Sequence, residues 1–189
     1  MTSARTISLV TLATVLSGWL AGAALERSWS GMPVWQKLGP ESWAHSNQGA
    51  VFGTGLAIEG VIGVAAALLL FAAAVSATFE RSGERATPLA LIIAIIFSLL
   101  GLLLTAKAVS LLQLLAASQN AADLQPIFDD YLIWGVDFRA AADAVAFVAA
   151  VLALWGLSVG AMTGTSRAAG TPALSEEVAG GLAAPRHPG

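Results

Sequence analysis

Hydrophobic positions along this chain fall in long, nearly unbroken runs rather than in alternating or one-sided patterns. Val51 to Ala77 and Pro88 to Leu115 are two such runs, joined by a short charged hinge, Thr78 to Thr87, that holds Glu80, Arg81, Glu84 and Arg85. A helix rising ~1.5 Å per residue needs ~20 mostly apolar residues to cross ~30 Å of hydrocarbon, and each run exceeds that. The pair predicts a transmembrane hairpin. Ile92, Ile93, Ile95, Ile96 and Phe97 show no polar face, as expected of a helix bathed in lipid. A third run, Ile7 to Leu25, precedes the hairpin. A fourth begins near Tyr131–Trp134 or Asp137 and continues to about Met162. The expected fold is all-α: a four-transmembrane-helix bundle over residues 1–165, followed by a disordered cytoplasmic tail over 166–189 that is rich in Gly, Ala, Pro, Ser and Thr.

The polar stretches between the runs differ in kind. Glu26 to Ala50 contains Trp29, Trp35 and Trp43 together with Pro33 and Pro40. Indole rings favour the membrane–water interface, so this stretch predicts a Trp-rich extracytoplasmic cap between the first two helices. Pro40 suits the first turn of a helix, so the second helix is expected to start near Glu41 and to continue to Ala77. Ser118 to Asp130 carries Asp123, Asp129 and Asp130 without Lys or Arg, and reads as a polar loop. The first run admits two readings. Ala21-Gly22-Ala23 resembles a signal-peptidase site, whereas the length of the run, with Gly18 and Gly22 at small-xxx-small spacing, favours a retained helix. Arg5, Arg81, Arg85, Arg167 and Arg186 on one side, against Arg27, Lys37 and Arg139 on the other, orient the chain in the cell membrane with both termini cytoplasmic.

Composition strengthens this picture. Of the 189 residues, 57% are hydrophobic and 11% charged, too little charge to cover a soluble core. The net charge of −3 includes no basic patch, so no nucleic-acid partner is expected. The chain has no Cys, which removes disulfides, thiolate ligands and Cys nucleophiles. The expected partners are the lipid bilayer, a small apolar ligand, and a further copy or another membrane protein.

Ionisable residues inside apolar runs carry an insertion cost of ~2.5–3.5 kcal/mol each at mid-bilayer, so they direct attention to function. Four stand out: Glu59, Lys107, Arg139 and Asp143. Counted from the ends of their runs, all fall toward the non-cytoplasmic side. His45, Gln48, Phe52, Gly55 and Glu59 share one helical stripe, and Arg139 and Asp143 are one turn apart. These positions predict an outward-facing polar pocket with Glu59, Lys107, Arg139 and Asp143 as its walls and the Trp-rich cap as its lid; Trp43, Gln48 and Trp134 are further candidate ligand-binding residues. A simpler reading pairs Glu59 with Lys107 and Arg139 with Asp143 to neutralise charge. His45, Glu59 and Lys107 are the candidate catalytic groups, His45 as a base titrating near neutral pH. His45 is the only His outside the tail, so a bis-His haem site within one chain is excluded; no metal and no cofactor is expected. Phosphate-loop, dinucleotide and hydrolase motifs are absent from the sequence.

Four spans, a Pro- and Trp-containing first loop, and an acidic third loop leading into Trp134-Gly135-Val136-Asp137-Phe138-Arg139 carry a resemblance. Preceded by Phe128-Asp129-Asp130-Tyr131, this pattern resembles the anthrone oxygenase-like four-helix membrane family. That resemblance spans roughly residues 7–160. It implies a cofactor-free oxygenase-like activity on an activated polycyclic phenol. His45 or Glu59 would then serve as base, and Lys107 or Arg139 would hold the oxyanion. Where that family often has a His near the start of the fourth helix, this chain has Asp137. The functional expectation is a membrane protein binding a small, largely apolar molecule. The alternative is a non-catalytic membrane subunit or scaffold associating through small-residue helix faces.

Overall fold

The computed structural model describes residues 4–49, 54–79, 86–118 and 120–169. Among them the chain is helical throughout, with no strand. Helix α1 spans Ala4–Glu26 and passes through a π-helical turn, Arg27–Gly31, into α2, Met32–Leu38. Helix α3 is Pro40–Gly49, α4 Thr54–Phe79, α5 Ala86–Ala117 and α6 Ala121–Asp130. A second π-helical segment, Tyr131–Asp137, joins α6 to α7, Phe138–Ala169. Among the described residues four continuous helical stretches are long and apolar enough to cross a membrane: Ala4–Leu38, Ile58–Phe79, Thr87–Leu115 and Ala122–Ala161.

Proline starts α3 at Pro40, as the sequence predicts, and Pro88 lies in the first turn of α5, where a missing N–H leaves no helical bond unmade. The chain turns from α2 into α3 at Gly39, whose φ of 85° only glycine adopts without strain. The expected continuous helix from Glu41 to Ala77 contains residues 50–53, which lie outside the described residues, as do the charged hinge 80–85 and the tail from 170 onward.

Two expected boundaries shift. Most of the acidic stretch 118–130 is helix rather than loop. The side chain of Asn120 accepts a hydrogen bond from the Ala122 N–H at 3.2 Å, capping α6, and Asp123 lies in the first turn, favourably placed for the helix dipole. Leu124 and Phe128, four apart, then bury one face of α6. At the other end, α7 continues past Met162 to Ala169.

The bundle holds two separate apolar cores. The first gathers Val10 and Ala13 of α1, Leu70 and Ala73 of α4, Leu91 and Ala94 of α5, and Ala149, Ala150, Ala153 and Leu157 of α7. It draws on the beginnings of α1 and α5 and the later parts of α4 and α7, so the four long helices run alternately up and down. The second gathers Met32, Trp43, Ala44, Ala108, Leu111, Leu115, Leu124, Phe128, Tyr131 and Val136, from α2, α3, the end of α5, α6 and the second π segment. Gly18 packs on Phe147 of α7, where an added Cβ would come within 2.9 Å of the ring; nothing lies within 4 Å of such an atom at Gly22. The small-residue spacing of α1 is therefore used within the bundle at one position only.

Candidate functional site: a charged layer between two cores

Between the cores, each long helix contributes polar or small residues at one level. α1 supplies Ser17 and Leu20; α4 supplies Glu59 and Gly63. α5 supplies Ser98, Gly101, Leu102 and Thr105, and α7 supplies Arg139, Asp143 and Ala146. Together they line a cavity of about 20 Å³, room for roughly one water-sized group.

Glu59 is the centre of the layer. Arg27 donates to both its oxygens, Nη2 to Oε1 at 2.5 Å and Nη1 to Oε2 at 3.2 Å. Arg139 Nη2 donates to Oε2 at 2.7 Å. Both carboxylate oxygens are thus held by guanidinium groups, whose planar forks suit this geometry. Arg139 Nε faces Asp143 Oδ2 at 3.7 Å, an ion-pair distance too long for a hydrogen bond. The formal charges of Arg27, Glu59, Arg139 and Asp143 sum to zero, which lowers the cost of placing them in an apolar bundle. Arg139 is 3% exposed, Glu59 7% and Asp143 8%.

Among the described residues four buried polar atoms have no hydrogen-bond partner: Ser17 Oγ, Arg139 Nε, Arg139 Nη1 and Asp143 Oδ2. All belong to residues that line the same cavity. A Cβ at Gly101 would fall 2.5 Å from Asp143 Oδ1, so a larger residue there would force the carboxylate to shift.

The two π-helical segments bear on the layer. Each holds an extra residue in the turn, which re-aims the side chains beside it. Arg27 opens the first, and Arg139 follows the second by two residues. Ser28 Oγ donates to Asp137 Oδ1 at 2.8 Å and fastens one segment to the other.

Of the residues that the sequence nominates, Glu59, Arg139 and Asp143 meet at the cavity. Lys107 does not. It is exposed on α5, and its ammonium lies 4.0 Å from the centroid of the Trp134 ring. The partner expected for Glu59 is therefore replaced by Arg27. The reason is rotational: Lys107 is six residues beyond Gly101, about 120° around the helix from the cavity. Trp43 packs in the second core against Phe128 and Tyr131, at 4.9 and 4.7 Å between ring centroids, and does not line the cavity. Trp134 stacks on Phe138 at 5.0 Å. His45 is exposed on α3, and the side chains of Gln48 and Phe52 lie outside the described residues. Among the described residues no three His, Cys, Asp or Glu gather as a metal site. Sequence reasoning missed Arg27, Ser17 and the glycine at 101. Arg27 was signalled by its place directly after the first apolar run; Ser17 was signalled by the buried stripe Val10, Ala13, Ser17, Leu20, Ala24.

A second, wider hollow of about 690 Å³ lies between α5 and α7, lined by apolar residues such as Ile93, Val148, Leu152 and Trp155. The fold and the charged layer define a helical bundle with four membrane-compatible spans, three of them linked by ion pairs centred on Glu59 and Arg139. No family model, no curated protein and no solved structure matches the chain.

Proposed function

We propose that the chain is a multi-pass protein of the cell membrane, termini cytoplasmic, that holds a small, largely apolar molecule by one hydroxyl or enol group at the charged layer. One observation carries this reading: buried donors and a buried acceptor without partners border a single small cavity. Arg139 Nε and Nη1 can donate, Asp143 Oδ2 can accept, and Ser17 Oγ can do either. Such a set suits a group that both gives and takes a hydrogen bond, and leaving these atoms unpaired costs about 1–3 kcal/mol each. A cavity of about 20 Å³ admits that group alone, so the apolar remainder of the molecule extends between the helices. The Trp-bearing helices α2 and α3 cover this end as a cap. An oxygenase-like activity within this reading has Asp143 as base and Arg139 as oxyanion holder, because both line the cavity and His45 and Lys107 do not.

The test is binding of 1-naphthol against naphthalene to the detergent-purified protein. The expected result is a preference for the naphthol of roughly tenfold, as one hydrogen bond to a charged group provides, abolished by Asp143→Asn in protein that still shows a cooperative unfolding transition. Equal binding of the two probes, or an unchanged preference in Asp143→Asn, rejects the proposal.

A further inference from the structure

A further cation stands apart from the charged layer. Lys107 is exposed within the span Thr87–Leu115, and no carboxylate lies within ion-pair distance of it among the described residues. Its ammonium rests over the Trp134 indole at 4.0 Å, well inside the range of a cation–π contact. Trp134 is stacked on Phe138 with 19° between the ring planes, so the two rings form one continuous step. Phe138 is 54% exposed and Trp134 36%, and Ile133 and Leu103 extend the apolar surface beside them.

An ammonium on an aromatic ring has used its attraction to the ring face and still has N–H donors pointing outward. Trp is the residue of the membrane–water boundary, which sets the level of this step. A charge there, with apolar side chains beneath it, matches one kind of ligand: a phosphate with acyl chains attached. We infer that Lys107, Trp134 and Phe138 form a binding site for an anionic phospholipid. The phosphate accepts hydrogen bonds from the Lys107 ammonium, and an acyl chain lies along Phe138, Ile133 and Leu103. The site is independent of the molecule proposed for the charged layer, since none of its residues lines that cavity.

Native mass spectrometry of the full chain released from detergent, with added phosphatidylglycerol or phosphatidylcholine, tests the inference. The wild-type protein is expected to retain phosphatidylglycerol in preference to phosphatidylcholine. Lys107→Gln should lower that retention roughly fivefold, the scale of one Lys contact with an anionic headgroup, and Lys107→Arg should preserve it. Trp134→Leu should weaken it as well, while the melting temperature of Lys107→Gln stays at the wild-type value. Equal retention of phosphatidylglycerol by wild type and Lys107→Gln overturns the inference. So does displacement of the lipid by millimolar inorganic phosphate, which would make free phosphate the ligand.

Discussion

The two cores of the bundle are built from different materials. One contains nothing larger than Leu, and Ala supplies six of its ten buried positions: 13, 73, 94, 149, 150 and 153. The other is filled with Met32, Trp43, Phe128 and Tyr131 as well as aliphatic side chains. Alanine lets helix backbones approach closely, and in lipid that close packing is a main source of association. Aromatic side chains need more room between helices and fill it with large contact areas. The charged layer lies where one regime gives way to the other. A tight Ala-lined seam has no space for two guanidinium groups, and an aromatic core has no partners for them.

The largest expected effect comes from breaking the layer that joins the two regions. Arg139→Leu leaves Asp143 without its cation and Glu59 with one guanidinium instead of two; we expect a loss of about 3–5 kcal/mol in detergent unfolding experiments. Arg27→Leu should cost less, because the Arg27 side chain is 29% exposed and its contacts are screened. Equal losses would mean that the carboxylate, and not the depth of its partners, governs stability. Next in size is overpacking of the tight seam. Ala150 is fully buried, and Ala150→Leu should destabilise by about 1–3 kcal/mol in the same assay. No measurable loss would show that the seam is looser than its side chains imply. Ser28→Ala should have the smallest effect, about 0.5–1.5 kcal/mol, since it removes one exposed hydrogen bond to Asp137. A change in the melting temperature as large as that of Ala150→Leu would instead make the link between the π segments a principal fastening.

How much of this was legible in the sequence depends on the kind of information required. Run length alone yields the four spans, since hydrocarbon thickness is a one-dimensional constraint. Counting along the runs also brings Glu59, Arg139 and Asp143 to one end of the bundle. It says nothing of rotation, and so it pairs Lys107 with Glu59 although Lys107 faces away from the cavity. Arg27 reads as a flanking charge because it stands just past an apolar run; the helix continues through it, and the π-helical turn is invisible to hydropathy. Helix α6 was hidden by its acidic residues, although Asn120 followed three positions on by Asp123 is a helix-start pattern. Asp143 and Gly101 show the opposite limit. Their contact is a matter of two helices passing at close range, which neither helix records by itself.

The Glu59 contacts also set an order of events during synthesis. Arg27 and Glu59 are separated by 32 positions, Arg139 and Glu59 by 80. A growing chain has therefore produced both members of the nearer pair long before α7 exists. A hairpin of α1 and α4 would have its carboxylate matched from the start, and α7, made last, would add Arg139 to a pair already formed.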